Sequence, residues 1–308
     1  MPYVIGFVIF LVLILSVATL ISFNLCCVRR KKPPRLRGKM GKDSPADTIF
    51  KTNIEKGREW IMTIPFSEER IKSDDGVELF GRFYRCGDSK TTILMMHGFR
   101  SNAIHDFSCA FKFYFDKGFN ILLADQRAHG KSGSKYITYG VKERIDAKCW
   151  LYHINTLVEG GELYATGVSM GATTVLMAAE LDLPENLKAI IADCGFTSPA
   201  DIIKKVMHQD MGFPLFPLYH TTRLWARLVA GFDFEEVNAA KTVVNCKIPL
   251  FFLHGKDDSF VPFYMGEEIF AAAKGKKAAV WVEGAEHGCS FLVDHETCGK
   301  TLSEFIGK

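Results

Sequence analysis

A chain of 308 residues that is 48% hydrophobic and 24% charged has enough apolar side chains for one large buried core, which excludes a disordered or low-complexity protein. Its nine cysteines form no C-x-x-C pair and no His/Cys cluster at zinc spacing, which argues against a disulfide framework and against a metal site. The net charge of +3 hides an uneven distribution. Residues 29–42 carry eight Lys/Arg and no acid, leaving 30 basic against 35 acidic side chains, or −5, for the rest; nothing in that balance suggests a nucleic-acid partner.

From Pro2 to Val28 the chain runs 27 residues without a charge, dominated by Ile, Leu, Val and Phe, more than the roughly 20 needed to span a bilayer. A cleaved signal peptide calls for a basic n-region, a shorter apolar core and a small-residue cleavage site, so residues 1–28 read as a retained anchor. The basic run that follows (Arg29, Arg30, Lys31, Lys32, Arg35, Arg37, Lys39, Lys42) predicts a single-pass protein of the cell membrane with its C-terminal domain on the cytoplasmic side. With Pro33 and Pro34, the same run reads as a stiff tether lying on anionic headgroups within a linker of residues 29–63. A helix is expected around Ile54 to Ile61.

A catalytic domain is expected over 64–308. It opens with two strand-like runs, Glu68–Ser73 and Val77–Tyr84, flanking a hairpin turn at Asp74-Asp75-Gly76. Thr92–Met96 is a continuous apolar run of the kind buried on both faces of a sheet, ending in His97-Gly98-Phe99. One helix is predicted from about Ile104 to Lys117, closed by Gly118, and a strand over Asn120–Ala124. Helices near 142–158, 170–182 and 261–273 then alternate with strands at 162–166, 188–193, 249–254 and 278–282, before a last helix at 291–306. This alternation predicts an α/β fold: a mostly parallel, doubly wound sheet behind an N-terminal antiparallel hairpin, with ligands at the C-terminal ends of the strands.

Gly167-Val168-Ser169-Met170-Gly171 sits between a predicted strand and a predicted helix. A side chain on either flanking residue of so sharp a turn would strike the neighbouring chain, so G-x-S-x-G has a steric cause. The turn lifts the serine hydroxyl to a helix N-terminus, where N–H groups and dipole favour a developing anion. A serine nucleophile needs a base, and the base needs an acid to orient it; on this fold the order along the chain is Ser, then Asp or Glu, then His, each just past a strand. Asp258 follows the strand at 249–254, and His287 follows the strand at 278–282. Adjacent Asp257 is the lesser candidate for the acid, as a turn-bracing residue, and Asp193 at the end of another strand is a third. His97, His129 and His254 read as loop-bracing side chains. Two backbone N–H groups, those of Phe99 and Met170, are expected to form an oxyanion hole.

The segments His97–Asn102, Asp125–Ser132, Gly167–Gly171, Asp193–Ser198, His254–Asp258 and Ala285–Gly288 together resemble serine hydrolases of the α/β-hydrolase superfamily over about residues 64–308. Within it the chain is similar to a membrane-anchored bacterial branch related to serine aminopeptidase-like and dienelactone hydrolase-like proteins. The resemblance implies Ser169, Asp258 and His287 as the catalytic triad and implies no cofactor. An insertion at about 199–240, rich in Phe, Leu, Pro and Trp, is expected to lie over the serine as a cap; its apolar character suits an acyl chain, and packing onto the domain accounts for it equally. The expected activity is hydrolysis of a small-molecule ester or lipid-like substrate. Thioesterase, protein-deacylase or peptidase chemistry on the same triad is one alternative, and a catalytically silent membrane-tethered binding module is another.

Overall fold

The computed structural model describes residues 1–30 and 45–308, the side chains of 45–50 excepted, so the basic positions from Lys31 to Lys42 lie outside the described residues. Eight strands form one sheet: β1 (Ser67–Lys72), β2 (Glu78–Tyr84), β3 (Thr91–Met96), β4 (Asn120–Asp125), β5 (Glu162–Val168), β6 (Leu187–Asp193), β7 (Leu250–Gly255) and β8 (Lys277–Val282). Their order is β1-β2-β4-β3-β5-β6-β7-β8. The first hairpin is antiparallel, β2 also pairs antiparallel with β4, and every other pairing is parallel. The expected hairpin turn closes through Gly76 at φ 80°, with the Ser73 N–H donating to the Val77 carbonyl at 2.9 Å. Strands β3, β4 and β7 are buried at every position, as apolar runs covered on both faces must be.

The described helices are α1 (Pro2–Cys27), α2 (Pro45–Thr63), α3 (Ala103–Asp106), α4 (Phe111–Asp116), α5 (Glu143–Leu157), α6 (Met170–Ala178), α7 (Pro199–Lys205), α8 (Leu218–Trp225), α9 (Ala239–Thr242), α10 (Phe263–Ala272), α11 (Ser290–Val293) and α12 (His295–Ile306). One face of the sheet packs against α5, α6 and α10 through Trp150, Leu151, Val175, Leu176 and Ile269. The other packs against α2, α4 and α12 through Ile61, Phe111, Tyr114 and Leu302. A third apolar cluster, including Met170, Phe196, Tyr219 and Phe234, lies under α7, α8 and the π-helical turns that extend them, Val206–Asp210 and Ala226–Ala230.

Two expected helices are each broken in two. The helix predicted from Ile104 to Lys117 is interrupted at 107–110, and the last helix restarts at His295 because Asp294 caps it, accepting the Thr297 N–H at 3.0 Å. Helix α1 is the one described helix long and apolar enough to cross a membrane. Its outer part is exposed throughout, but its C-terminal turns pack on the domain. Phe23 and Cys27 are buried there, Val28 forms a bridge with Tyr136, and the Thr19 hydroxyl donates to the Thr221 hydroxyl of α8 at 2.7 Å.

Candidate active site

Because β3, β5, β7 and β8 run parallel, the segments after them gather at one edge of the sheet, and these are the four that carry the expected site residues. Ser169 stands between β5 and α6 at φ 56°, ψ −116°, a strained backbone for an L-residue. Its surroundings hold it there. A Cβ on Gly171 would lie 1.9 Å from the Met96 carbonyl oxygen, and one on Gly167 would lie 2.1 Å from the Gly171 carbonyl carbon. The Ser169 N–H donates to the Asp193 carbonyl at 2.8 Å, and its carbonyl accepts the Thr173 N–H at 3.0 Å. The elbow is therefore fixed by backbone contacts and depends little on its own side chain.

Asp258 is buried after β7. One carboxylate oxygen accepts the N–H groups of Phe260 and Val261 at 2.9 and 2.8 Å, and the other lies 2.7 Å from His287 Nδ1. His254 supports the same loop: its Nε2 bonds the Val261 carbonyl at 2.9 Å and lies 3.4 Å from the Asp258 carboxylate. Burial pushes the Asp258 carboxyl up, but the His287 and His254 rings and their hydrogen bonds overcome this and hold it well below the ordinary carboxylate value. Burial would likewise depress His287; the Asp258 charge and hydrogen bond outweigh it, and His287 is raised above the ordinary histidine value. The imidazole also meets the Phe260 ring edge-on, with centroids 5.0 Å apart. Among the described residues, Ser169 Oγ has no hydrogen-bond partner.

The other two carboxylate candidates are placed elsewhere. Asp257 is exposed, and its N–H donates to the Ala285 carbonyl at 3.1 Å. Asp193 accepts the Ser290 hydroxyl at 3.0 Å, and burial raises it to about 6 despite that bond. Cys194, Asp258 and His287 place one ligand-type atom each within 4.8 Å of one another, but burial first, then the carboxylates of Asp193 and Asp258, keeps the thiol protonated.

The loop after β3 carries Phe99, whose amide is the expected donor. Gly98 N–H donates to the Asp106 carboxylate at 2.7 Å, and Arg100 N–H donates to His129 Nε2 at 3.0 Å. Phe99 N–H lies between these two engaged donors, with no acceptor of its own among the described residues. Met170 N–H opens α6 and so has no partner within the helix. His97 and His129 brace this loop as expected: His97 Nε2 accepts the Gln126 N–H at 3.1 Å, and burial, with His97 beside it, lowers His129 to about 3.

Two residues matter here that the sequence does not single out. Asp106, which also accepts the Ser101 hydroxyl, ties down the Phe99 loop from α3. Arg100 reaches the other way, donating from its guanidinium to the Asn24 and Val28 carbonyls at the end of α1, at 3.3 and 3.0 Å. Both roles rest on partners distant in sequence, so no local pattern reports them.

The sheet order and the elbow at its edge are those of the α/β-hydrolase fold, and the family model of that description, alpha/beta hydrolase fold, matches residues 91–219. The chain has the α/β-hydrolase fold. YqkD of Bacillus subtilis is 27% identical to it over 264 residues, covering 84% of this chain and 86% of that protein. The bifunctional esterase/perhydrolase DCH of Acinetobacter calcoaceticus is 21% identical over 281 residues, covering 77% and 98%. Among solved structures, the Pyrococcus furiosus esterase PF2001 superposes with a TM-score of 0.66 at 24% identity, covering 90% of this chain and 97% of that one. Est1E of Butyrivibrio proteoclasticus, solved with ferulic acid bound, gives a TM-score of 0.61 at 18% identity, covering 78% and 100%.

Proposed function

We propose that the protein is a membrane-anchored serine hydrolase that cleaves carboxylic esters of an acyl or lipid-like kind. The observation that carries this reading is the 2.7 Å contact between Asp258 and His287 Nδ1, at the same sheet edge as the strained Ser169. Ser169 Oγ attacks the ester carbonyl while His287 Nε2 takes its proton. Asp258 holds the ring in the tautomer with Nδ1–H and stabilises the imidazolium. The carbonyl oxygen, as it becomes an anion, takes the N–H groups of Phe99 and Met170. The tetrahedral intermediate collapses to an acyl-enzyme, His287 protonates the departing alkoxide, and water repeats the sequence in reverse. The serine–histidine bond forms as substrate binds, since catalytic hydrogen bonds that are loose in the free enzyme close in the substrate complex.

Esterases among the structural neighbours support the ester reading, and the apolar cluster under the cap, reaching from Tyr219 and Phe234 to Met170 and Phe99, supports an acyl group. Helix α1 supports the anchor, and Arg29 and Arg30 directly after it support a cytoplasmic domain. The test is a series of p-nitrophenyl esters of increasing chain length, run beside thioester and aminoacyl substrates on the full chain. Turnover of the esters with a preference for longer chains is expected; turnover of aminoacyl substrates alone would replace this reading with a peptidase. Alkaline carbonate extraction tests the anchor: the protein should remain with the membrane, and release into the supernatant would refute the span.

A further inference from the structure

Helix α8 and its π-helical extension carry apolar side chains on two sides, with Arg223 and Arg227 beside them on a polar strip. Leu218, Tyr219, Thr222 and Ala226 point inward and are buried. On the opposite side Leu224, Trp225 and Leu228 follow Thr221 at spacings of three, four and seven residues, which puts all four on one face. Leu224 is 53% and Leu228 71% exposed. Clustered exposed apolar side chains of this kind mark a surface that meets lipid or another apolar partner. The crowding is local: among the described residues outside α1, seven of the thirteen exposed large apolar side chains fall between Met211 and Val229.

What covers this face is indicated by its neighbour. Thr221 accepts the hydroxyl of Thr19 in α1 at 2.7 Å, and Trp225 lines a cavity of about 540 Å³ together with Leu20, Phe23 and Asn24. The outward face of α8 therefore continues the surface of α1. Leu20 and Ile21 are about half exposed, so their open sides leave water only if the hydrocarbon layer reaches them. They lie one and two residues beyond Thr19, so a layer that reaches them also reaches the level of Thr221. Arg29, ten residues beyond Thr19 and so roughly 15 Å further along the axis, stands with Lys135 at the rim of the same cavity, at a level that suits lipid phosphates.

We propose that the outer face of α8 is a membrane-contacting surface: Leu224, Trp225 and Leu228 lie among the acyl chains of the leaflet that α1 enters, so the cap is sunk into the bilayer. This rests on the reading of α1 as a membrane span and adds to it where the domain sits. An ester in that leaflet then reaches the cap without crossing water.

The test uses the full-length protein in phosphatidylcholine vesicles whose acyl chains are brominated. Tryptophan emission should be quenched, and the quenched component should disappear in Trp225→Phe. A Leu224→Glu/Leu228→Glu variant should remain carbonate-resistant and cleave soluble p-nitrophenyl acetate within twofold of the unsubstituted protein, while hydrolysis of a long-chain ester carried in vesicles falls at least tenfold. Unquenched Trp225 in a carbonate-resistant protein overturns this proposal and leaves the anchor standing. Extraction by carbonate overturns both. Quenching is read whether or not the protein cleaves esters, so a failure of the ester reading is seen separately.

Discussion

At the strand-end edge of the sheet, Asp258 accepts two backbone N–H groups and contacts His287, and the Ser169 backbone is pinned on both sides. In the cap above it, Phe216, Leu224 and Leu228 stand 78%, 53% and 71% exposed, and the helices pass into π-helical turns. The first region is held in place because the Asp258 carboxylate and the backbone around Ser169 are tied to neighbours, which is what holding a charge-developing reaction requires. The second presents apolar area outward with little directional bonding, which suits contact with fluid acyl chains more than with a fixed partner. Substitutions at the edge should therefore act on kcat, and substitutions in the cap on substrate choice.

The sharpest break of that contrast is Ser169→Ala. Labelling by a fluorophosphonate probe should vanish and kcat fall about 10⁶-fold, with the melting temperature unchanged; persistent labelling would sink the nucleophile assignment. Asp258→Asn should lower kcat about 10⁴-fold. It also moves the pH profile in a defined direction. The base must be neutral, so kcat/KM falls as pH drops through the raised His287 value. With the Asp258 charge gone, burial dominates and the acid limb should shift to lower pH; a limb that stays in place would mean another group sets it.

Gly171→Ala is a test of the scaffold. Its Cβ would meet backbone, the Met96 carbonyl oxygen at 1.9 Å, and the variant should lose more than about 3 kcal/mol in denaturant unfolding. Asp106→Ala frees the Gly98 N–H and loosens the Phe99 loop, so kcat should drop between about tenfold and a hundredfold with KM little changed, because the Phe99 N–H that the loop positions is used chiefly as the oxyanion forms. The smallest effect is expected at Asp257→Ala, within about 0.5 kcal/mol in stability and within twofold in kcat. A large loss there would move the acid one residue back along the chain.

Much of this was legible in the sequence for identifiable reasons. Strands such as Thr91–Met96 and Leu250–Gly255 are mostly apolar and buried at every position because both faces are covered, and the helices between them leave little choice of architecture. Ser169, Asp258 and His287 were placed by their position after strands, which the topology then turns into a shared edge. The interruption at 107–110 was not legible: residues 104–117 contain no proline or glycine, and Asp106 turns back to Gly98 and Ser101, nonhelical partners that no helix-stop signal announces. The docking of α1 on α8 was equally hidden, since two apolar segments some 200 residues apart do not declare that they meet. Long-range pairings separate the two outcomes. Where a residue's role follows from its own strand it can be read; where it follows from a distant carbonyl or hydroxyl it cannot.

Arg100 makes one such pairing, and it bears on how the protein must be handled. Its guanidinium grips the last carbonyls of α1, while the residue just before it carries the proposed oxyanion donor. A truncation at residue 28 made for solubility removes the Asn24 and Val28 carbonyls that this side chain holds, and it uncovers the apolar surface beneath Phe23 and Cys27. The shortened protein is thus altered at the Phe99 loop as well as shorter. Kinetics measured on it describe a loop that has lost its contacts with α1, and the full chain is the proper reference.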